Sequence, residues 1–252
     1  MILPSSTSNI LSNNKKDSKF TVHYFNFHGL GVCPRALLCI GEALWDNKIQ
    51  TMADWPQTKE TIPLGTLPVL LETNLSTGEA IAIPESGAIE RYLAGKFGLL
   101  GDNVREQTLN DIFYAQAVML NTKFVEKTVW TFEEVRQKAL DQFLETTLPN
   151  WIKVCEKQLA ENGNTGHFVG NKFTLADIKT AVIMDTFLAL ESEKVLNPTF
   201  CPRLWKLKET VDSHPTYATW RKSEEYKSID KETQAGMPPI MNLDFSKAHI
   251  FS

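Results

Sequence analysis

The dipeptide Leu67-Pro68 stands where a strand pattern begins, and its chemistry suits the binding of a peptide backbone. Proline has no amide hydrogen to give to a sheet, so it belongs at the first position or the edge of a strand. If the Leu67-Pro68 bond is cis, the amide and carbonyl of Leu67 turn outward, where an extended peptide can pair with them as an added strand. These residues therefore predict a site for a short peptide.

Glu85 and Ser86 offer partners for the two charged groups of an amino acid. They follow Pro84, which ends a strand pattern, and they open a helix whose apolar residues recur at helical spacing. A helix N-terminus carries about half a positive charge, so the amide and hydroxyl of Ser86 suit a carboxylate, while Glu85 can meet an ammonium group beside it. The same two residues also make an ordinary helix cap, so from the residues alone both interpretations stay open.

The elements around these segments follow from apolar periodicity and turn residues. Residues 69–73 and 79–83 are predicted to be two strands joined by a hairpin turn, and helical spacing dominates the second half of the chain. There, Pro149 is expected to kink or divide a long helix. Thr174 and Asp177 form a capping box, which predicts a helix start and a folding role.

Two further stretches extend these patterns into a family resemblance. VHYFNFHGLGVCPRALL at 22–38 resembles the first strand, active-site loop and first helix of the soluble glutathione transferases, and ADWPQTKETIPLGTLPVL at 53–70 is similar to their sigma class in particular. The proline-led strand and the Glu-Ser helix start belong to the same resemblance, which covers roughly residues 19 to 228. It implies an α/β, thioredoxin-like N-terminal domain followed by an all-α C-terminal domain.

The domain organisation is predicted from this resemblance and from composition. We expect a thioredoxin-like glutathione-binding domain at 19–98 and an all-helical domain at 103–228. Residues 1–18 are rich in Ser and Asn and are predicted to form a flexible N-terminal extension. Residues 229–252 form a C-terminal extension that is apolar enough to pack on its own subunit or on a neighbour's.

By the resemblance, Tyr24 is the catalytic residue, because it matches the family tyrosine whose hydroxyl binds the glutathione sulfur. A free thiol has a pKa of about 8.5, so little of it is the nucleophilic thiolate at neutral pH. A phenol stays protonated there and can donate a strong hydrogen bond to the anion. Without its neighbours, Tyr24 would be an ordinary aromatic residue in a strand.

The resemblance also implies how the rest of glutathione, the co-substrate, is held. Lys59 and Trp55 are four residues apart on a short helix and would meet the glycine end of the tripeptide. Leu67 would pair with the cysteinyl unit, and Asp111 would reach the glutathione of the partner in a homodimer. The complete set of implied glutathione-binding residues is Tyr24, Trp55, Lys59, Leu67, Pro68, Glu85, Ser86 and Asp111.

A second substrate, a hydrophobic small molecule, is implied beside the active-site loop, for conjugation or for a sigma-type isomerisation. One departure concerns the reaction: the sigma-class loop carries an arginine six residues after the tyrosine, where this chain has Leu30. Activation would then rest more on Tyr24, on the N-terminus of the first helix and on His28. The implied pocket residues are Phe27, His28, Leu30, Phe113, Ala117 and Asn121.

Two alternatives to this enzyme stay open. The departure at Leu30 and the two extensions are compatible with a weakly active or inactive family member that serves as a ligand carrier or a structural, crystallin-like protein. Cys33 precedes Pro34 near a helix start, where a thiol pKa is lowered, so a thiol oxidoreductase is the lesser alternative.

Composition excludes several other classes of function. The chain has 252 residues, 26 basic against 30 acidic side chains and a net charge of −4, without the basic runs that nucleic-acid grooves use. It has neither a long apolar stretch nor a start resembling a secretory signal, so we expect a cytoplasmic protein without a membrane partner. The four cysteines and five histidines show no ligand spacing, so no metal is expected.

Overall fold

The structure is a computed structural model that describes residues 17–129 and 131–235, without the side chains of residues 127 and 189–195. Most of the predicted N-terminal extension and the predicted tail from residue 236, with its expected packing, lie outside the described residues. By contacts, the described chain divides into two compact units. One combines residues up to 99 with 214–235, and the other holds residues 100–213.

The first unit is built on a four-stranded mixed sheet with the strand order β2-β1-β3-β4. β1 pairs in parallel with β2 and antiparallel with β3, and β3 pairs antiparallel with β4. The predicted hairpin is confirmed, with each strand within one residue of its expected bounds at either end. The strands are β1 (Ser18–Phe25), β2 (Leu44–Gln50), β3 (Val69–Asn74) and β4 (Ala80–Pro84).

Alternation along β1 decides which side chains enter the core. Phe20, Val22 and Tyr24 share one face and are 0%, 1% and 5% exposed. The helices of this part of the unit are α1 (Val32–Ile40), α2 (Trp55–Thr58) and α3 (Ser86–Phe97). Phe20 packs edge-on against Phe97 at the end of α3, with ring centroids 6.0 Å apart. This contact ties the face that carries Tyr24 to α3.

A buried polar cluster joins β3 to α3. Glu72 is fully buried and accepts hydrogen bonds from Ser18 Oγ at 2.5 Å, from Tyr92 and from Lys96, with which it forms an ion pair. Several donors on one carboxylate compensate for its removal from water. The cluster therefore fixes α3 against the sheet.

The second unit is helical throughout its regular elements. Its helices are α4 (Val104–Phe124), α5 (Glu133–Gln142), α6 (Leu148–Glu161), α7 (Leu175–Val195) and α8 (Pro202–Asp212). The break expected near Pro149 is confirmed, since a π-helical stretch at Phe143–Thr147 separates α5 from α6 just before the proline. The capping box of Thr174 and Asp177 is confirmed at the start of α7.

The last helices, α9 (Pro215–Arg221) and α10 (Glu224–Ala235), return to the first unit. Trp220 meets Trp45 of β2 with ring centroids 5.7 Å apart, and Thr216 donates a hydrogen bond to the Cys39 carbonyl at 2.6 Å. The predicted fold class is confirmed: a thioredoxin-like α/β region precedes a mostly helical one. In the described ranges, no helix combines the length and apolar character needed to cross a membrane.

Candidate functional site

The register of the sheet collects several predicted site residues at one edge. His23 pairs with Val69, and Val69 pairs with Pro84, so the residues next to them in sequence end up as neighbours. Tyr24 follows His23 in β1, Pro68 precedes Val69, and Glu85 follows Pro84. The chain therefore brings a phenol, a strand-opening proline and a helix start together, although they are far apart in sequence.

Tyr24 lies at the end of β1 with its hydroxyl under the loop that follows the strand. The backbone amide of Leu30 donates a hydrogen bond to the Tyr24 hydroxyl oxygen at 3.1 Å. The Tyr24 ring packs edge-on against Phe25 and Phe27, with centroids 5.7 Å and 5.2 Å away. Among the described residues, the Leu30 amide is the single hydrogen-bond partner of this hydroxyl, so the O–H proton can still be donated.

The surroundings of Tyr24 keep the phenol in its neutral form. Burial raises its pKa above the ordinary value of 10.0, and this effect exceeds the lowering by the Leu30 amide and by the charge of Arg35. Tyr24 is therefore a hydrogen-bond donor at neutral pH. A hydroxyl whose oxygen already accepts from an amide is polarised toward donation.

Glycines allow the loop to pass close to the tyrosine, a feature that the sequence analysis did not identify. A Cβ atom at Gly31 would lie 2.6 Å from Tyr24 Cδ1, and one at Gly29 would lie 2.7 Å from the Tyr24 hydroxyl. Gly29 also has a φ of +37°. The Gly-Leu-Gly spacing was the available signal, because glycine often marks a close approach of backbone to another group.

Arg35 is a second contributor that sequence reasoning missed. It is fully buried in α1, and its guanidinium carbon lies 5.8 Å from the centre of the Tyr24 ring. Its guanidinium donates to Asn47 Oδ1 at 2.8 Å and to the carbonyls of Phe27 at 3.0 Å and Phe25 at 3.4 Å. Burial lowers the pKa of Arg35 to about 10, with Tyr24 and Glu225 acting in the opposite direction. A basic residue in an otherwise apolar helix was the signal.

The peptide-binding candidates have distinct backbone geometry. The Leu67-Pro68 bond is cis. Glu85 is exposed and has φ 71° and ψ 114°, a strained conformation for a residue with a side chain, directly before Ser86 begins α3. Strained backbone of this kind persists where the surrounding structure enforces it, which is common at binding sites.

Trp55 and Lys59 lie beyond the end of β2. The Trp55 ring contacts Phe25 edge-on at a centroid distance of 5.4 Å, which places it beside the residue that follows Tyr24. Lys59 immediately follows α2 and is exposed. The exposed ammonium of Lys59 can meet an anion from solvent.

The loop residues expected at a second-substrate pocket differ in exposure. Leu30 is 42% exposed, whereas Phe27 stacks on Phe25 with ring centroids 5.6 Å apart. The His28 side chain is 12% exposed and faces α10, where its Nε2 lies 3.5 Å from Asp230 Oδ1. Among the three, Leu30 therefore presents the most apolar surface to solvent.

The remaining predicted site residues lie on α4 in the second unit. Asp111 is exposed and Asn121 is half-buried, while Phe113 and Ala117 are 5% and 0% exposed. Phe113 stacks on Phe168 with centroids 4.5 Å apart, so it contributes to the core of its own unit. A pocket formed by these residues and the loop stays a prediction.

The alternative site at Cys33 has a buried thiol. Cys33 is 0% exposed, and the four cysteines, which all lie in the described ranges, are buried and form no disulfide. A thiol without solvent access does not meet a disulfide substrate in this conformation. In the described part of the chain, no group of three or more His, Cys, Asp or Glu side chains is arranged to hold a metal ion.

Comparisons with known proteins place these observations in a family. A sequence profile described as "Glutathione S-transferase, C-terminal domain" matches residues 120–224. Hematopoietic prostaglandin D synthase of Gallus gallus is 30% identical over 203 residues, 80% of this chain and 94% of that protein. S-crystallin SL11 of Nototodarus sloanii is 28% identical over 205 residues, 81% of this chain and 95% of that protein.

A solved structure has the same fold. The sigma class glutathione transferase of Fasciola hepatica superposes with a TM-score of 0.71 at 24% identity, covering 84% of this chain and 100% of that one. The fold, the profile match and a 30% identical relative that is aligned over nearly its whole length lead to one conclusion: this chain belongs to the glutathione S-transferase family.

Proposed function

We propose that this protein is a glutathione transferase in which Tyr24 activates the thiol of bound glutathione for attack on a hydrophobic electrophile. The observation that carries the proposal is the neutral Tyr24 hydroxyl, whose oxygen accepts from the Leu30 amide and whose proton is free to be donated. It lies at the same sheet edge as the cis Leu67-Pro68 bond and the strained Glu85.

Glutathione is proposed to lie along this edge. Its cysteinyl unit pairs with the backbone of Leu67, and its γ-glutamyl end meets Ser86 and Glu85 at the start of α3. Its glycine carboxylate is met by Lys59 and by the indole N–H of Trp55. The proposal includes a cytoplasmic homodimer in which Asp111 reaches the partner's glutathione.

The chemical step uses the hydrogen bond from Tyr24. Lowering the thiol pKa by about 2 units requires roughly 2.7 kcal/mol of preferential stabilisation of the thiolate. In conjugation, the thiolate sulfur forms a bond to an electrophilic carbon, and a leaving group departs with its electron pair. The 30% identity to a prostaglandin D synthase also supports isomerisation of a hydrophobic substrate as the reaction.

Conjugation of glutathione to an activated aryl halide tests this proposal. We expect Tyr24→Phe to lower kcat/KM about 10-fold to 100-fold, because the phenol's hydrogen bond to the sulfur anion is lost. Tyr92→Phe is the matched control. It removes a hydroxyl that donates to Glu72. Because Glu72 keeps its hydrogen bonds from Ser18 and Lys96, kcat/KM is expected to stay near that of the wild type.

The second candidate is a carrier or structural protein, and the relationship to an S-crystallin favours keeping it. Under that function the wild type binds glutathione but conjugates it no faster than Tyr24→Phe does. Equal rates in the two proteins would reject the enzyme and leave the carrier. An absence of glutathione binding would reject the enzyme, and a carrier would then need another ligand.

A further inference from the structure

Helix α10 is attached directly to the loop that contacts Tyr24. The backbone amide of His28 donates a hydrogen bond to Thr233 Oγ1 at 2.7 Å. The Thr233 hydroxyl in turn donates to the Ile229 carbonyl at 2.7 Å, which fixes its orientation. Ile229 is 1% exposed, so the helix is anchored in the core of the unit at this point.

The His28 side chain contacts α10, as its backbone amide does. Its ring lies 4.7 Å from the Tyr226 ring, centroid to centroid, and its Nε2 lies 3.5 Å from Asp230 Oδ1. Both partners belong to α10. His28 is therefore held by the helix, and its contribution to thiol activation stays a prediction.

A second chain of hydrogen bonds connects α10 with the loop by way of Asn47 in β2 and Arg35 in α1. Glu225 Oε1 accepts from Asn47 Nδ2 at 2.9 Å, and Asn47 Oδ1 accepts from Arg35 Nε at 2.8 Å. Arg35 then donates to the Phe27 carbonyl at 3.0 Å. The two connections reach the loop at adjacent residues, Phe27 and His28.

The Leu30 amide, which donates the hydrogen bond to the Tyr24 hydroxyl, is two residues after His28. The contacts that hold the loop therefore also fix the position of this amide. The family profile ends at residue 224, where α10 begins, so the contacts of Thr233 lie outside the part of the chain that the profile describes. The support for this loop therefore comes from a helix that begins where the profile match ends.

We propose that Thr233 and Glu225 are positioning residues for thiol activation. α10 holds the loop Phe27–Gly31 so that the Leu30 amide stays on the Tyr24 oxygen and directs the Tyr24 proton toward the thiolate. This inference rests on the proposed function. It adds a dependence of glutathione ionisation on a helix that does not touch the sulfur.

The test is a titration of the glutathione thiol in its complex with the full chain, followed by the ultraviolet absorbance of the thiolate. Thr233→Val keeps the shape of the side chain but removes the acceptor for the His28 amide. We expect the thiol pKa to rise by about 0.5 to 1 unit and kcat for the aryl halide to fall about threefold to tenfold. The KM for glutathione is expected to stay unchanged.

Two further variants separate positioning from folding. Thr233→Ser restores the hydroxyl and is expected to return the thiol pKa to that of the wild type. Thr219→Val removes a hydroxyl that bonds the Pro215 carbonyl in α9, in the same i to i−4 geometry, and is expected to leave the thiol pKa unchanged. Melting temperatures establish that the compared variants are folded.

A folded Thr233→Val protein with the wild-type thiol pKa would overturn the inference. If Thr233→Val does not fold, the inference is tested with Glu225→Ala, which removes the acceptor for Asn47 in the second chain of hydrogen bonds. A raised thiol pKa in this variant supports the inference, and an unchanged thiol pKa overturns it. Tyr24→Phe is titrated alongside. If it also leaves the thiol pKa unchanged, the proposed function itself fails; if it alone raises the pKa, only the role of α10 is rejected.

Discussion

At the residue scale, Tyr24 is buried, but a backbone amide and a guanidinium group lie close to it. Burial raises its pKa, so the phenol does not ionise in competition with the thiol it is proposed to activate. The Leu30 amide and the Arg35 guanidinium both act in the opposite direction, favouring negative charge at this position. A neutral hydrogen-bond donor in a positive electrostatic potential stabilises a neighbouring anion well, because the hydrogen bond and the potential both favour the negative charge.

The close approach of Gly31 to the Tyr24 ring gives a prediction at this scale. In Gly31→Ala, the new Cβ would lie 2.6 Å from Tyr24 Cδ1, closer than such atoms approach, so the ring must move. We expect kcat for conjugation to fall about tenfold, because small displacements of a catalytic group have large effects on rate. The measurement is steady-state kinetics with an activated aryl halide.

Gly95→Ala provides the control for that substitution. Gly95 is exposed within α3, where alanine is favoured by about 1 kcal/mol, so this variant should be slightly more stable and equally active. Unchanged kcat in Gly31→Ala would contradict the expectation that the close contact between the loop and the Tyr24 ring controls the rate.

At the element scale, the start of α7 shows how one acidic side chain organises a turn. Asp177 is fully buried and accepts hydrogen bonds from the amides of Thr174 and Phe168, each at 2.8 Å. His167 Nδ1 lies 3.3 Å from the same carboxylate. The capping box therefore joins the helix to the segment before it, and its role is in folding.

Thr174→Ala tests that role. Removing the hydroxyl leaves the amide of Asp177 without its cap, so we expect the free energy of unfolding to fall by about 1 kcal/mol. Urea denaturation measures this, with Thr108→Ala as the control, because the Thr108 hydroxyl bonds a carbonyl within the exposed first turns of α4. A loss of conjugation at unchanged stability would contradict a purely structural role for Thr174.

At the scale of the whole molecule, the first unit is assembled from both ends of the described chain. α9 and α10 cover α1 and β2, and their contacts extend to Trp45 and to the Cys39 carbonyl. The loop Phe27–Gly31 is connected to α10 through Thr233 and, by way of Arg35 and Asn47, through Glu225. Changes near the C-terminal end can therefore alter chemistry at the end of β1.

One buried imidazole, His23, and one half-buried imidazole, His214, make the stability of this unit depend on pH. Burial lowers the pKa of His23 below 6.5, with Lys48 adding to the shift and the Gln50 hydrogen bond opposing it, and burial likewise lowers the pKa of His214. Just below pH 6.5, the unfolded chain binds more protons than the folded chain does. The stabilisation by the neutral imidazoles is therefore fully present above pH 6.5 and is lost as the pH falls from there through the folded-state pKa.

We therefore expect the free energy of unfolding to decrease as the pH falls below 6.5, as measured by urea denaturation at several pH values. His23→Gln should make this decrease less steep. A stability that rises over the same range, or an equal slope in the variant, would contradict this assignment.

The hairpin, the helix start at Ser86, the break near Pro149 and the capping box were predictable from sequence, because each depends on residues close together in the chain. The position of Tyr24 was predictable as well, since strand alternation and the family resemblance agree. The predicted boundary at 228 falls inside α10, because nothing in the local pattern marks that helix as part of the first unit.

The sequence by itself determined the family and the fold class and predicted which residues bind a tripeptide, since these follow from local periodicity, turn chemistry and motif. Only the tertiary structure decided that Gly31 leaves space for the Tyr24 ring and that Arg35 lies against it. It also decided that Thr233 holds the loop. Such contacts join residues distant in the chain, and they depend on strand register and packing, which no local pattern encodes.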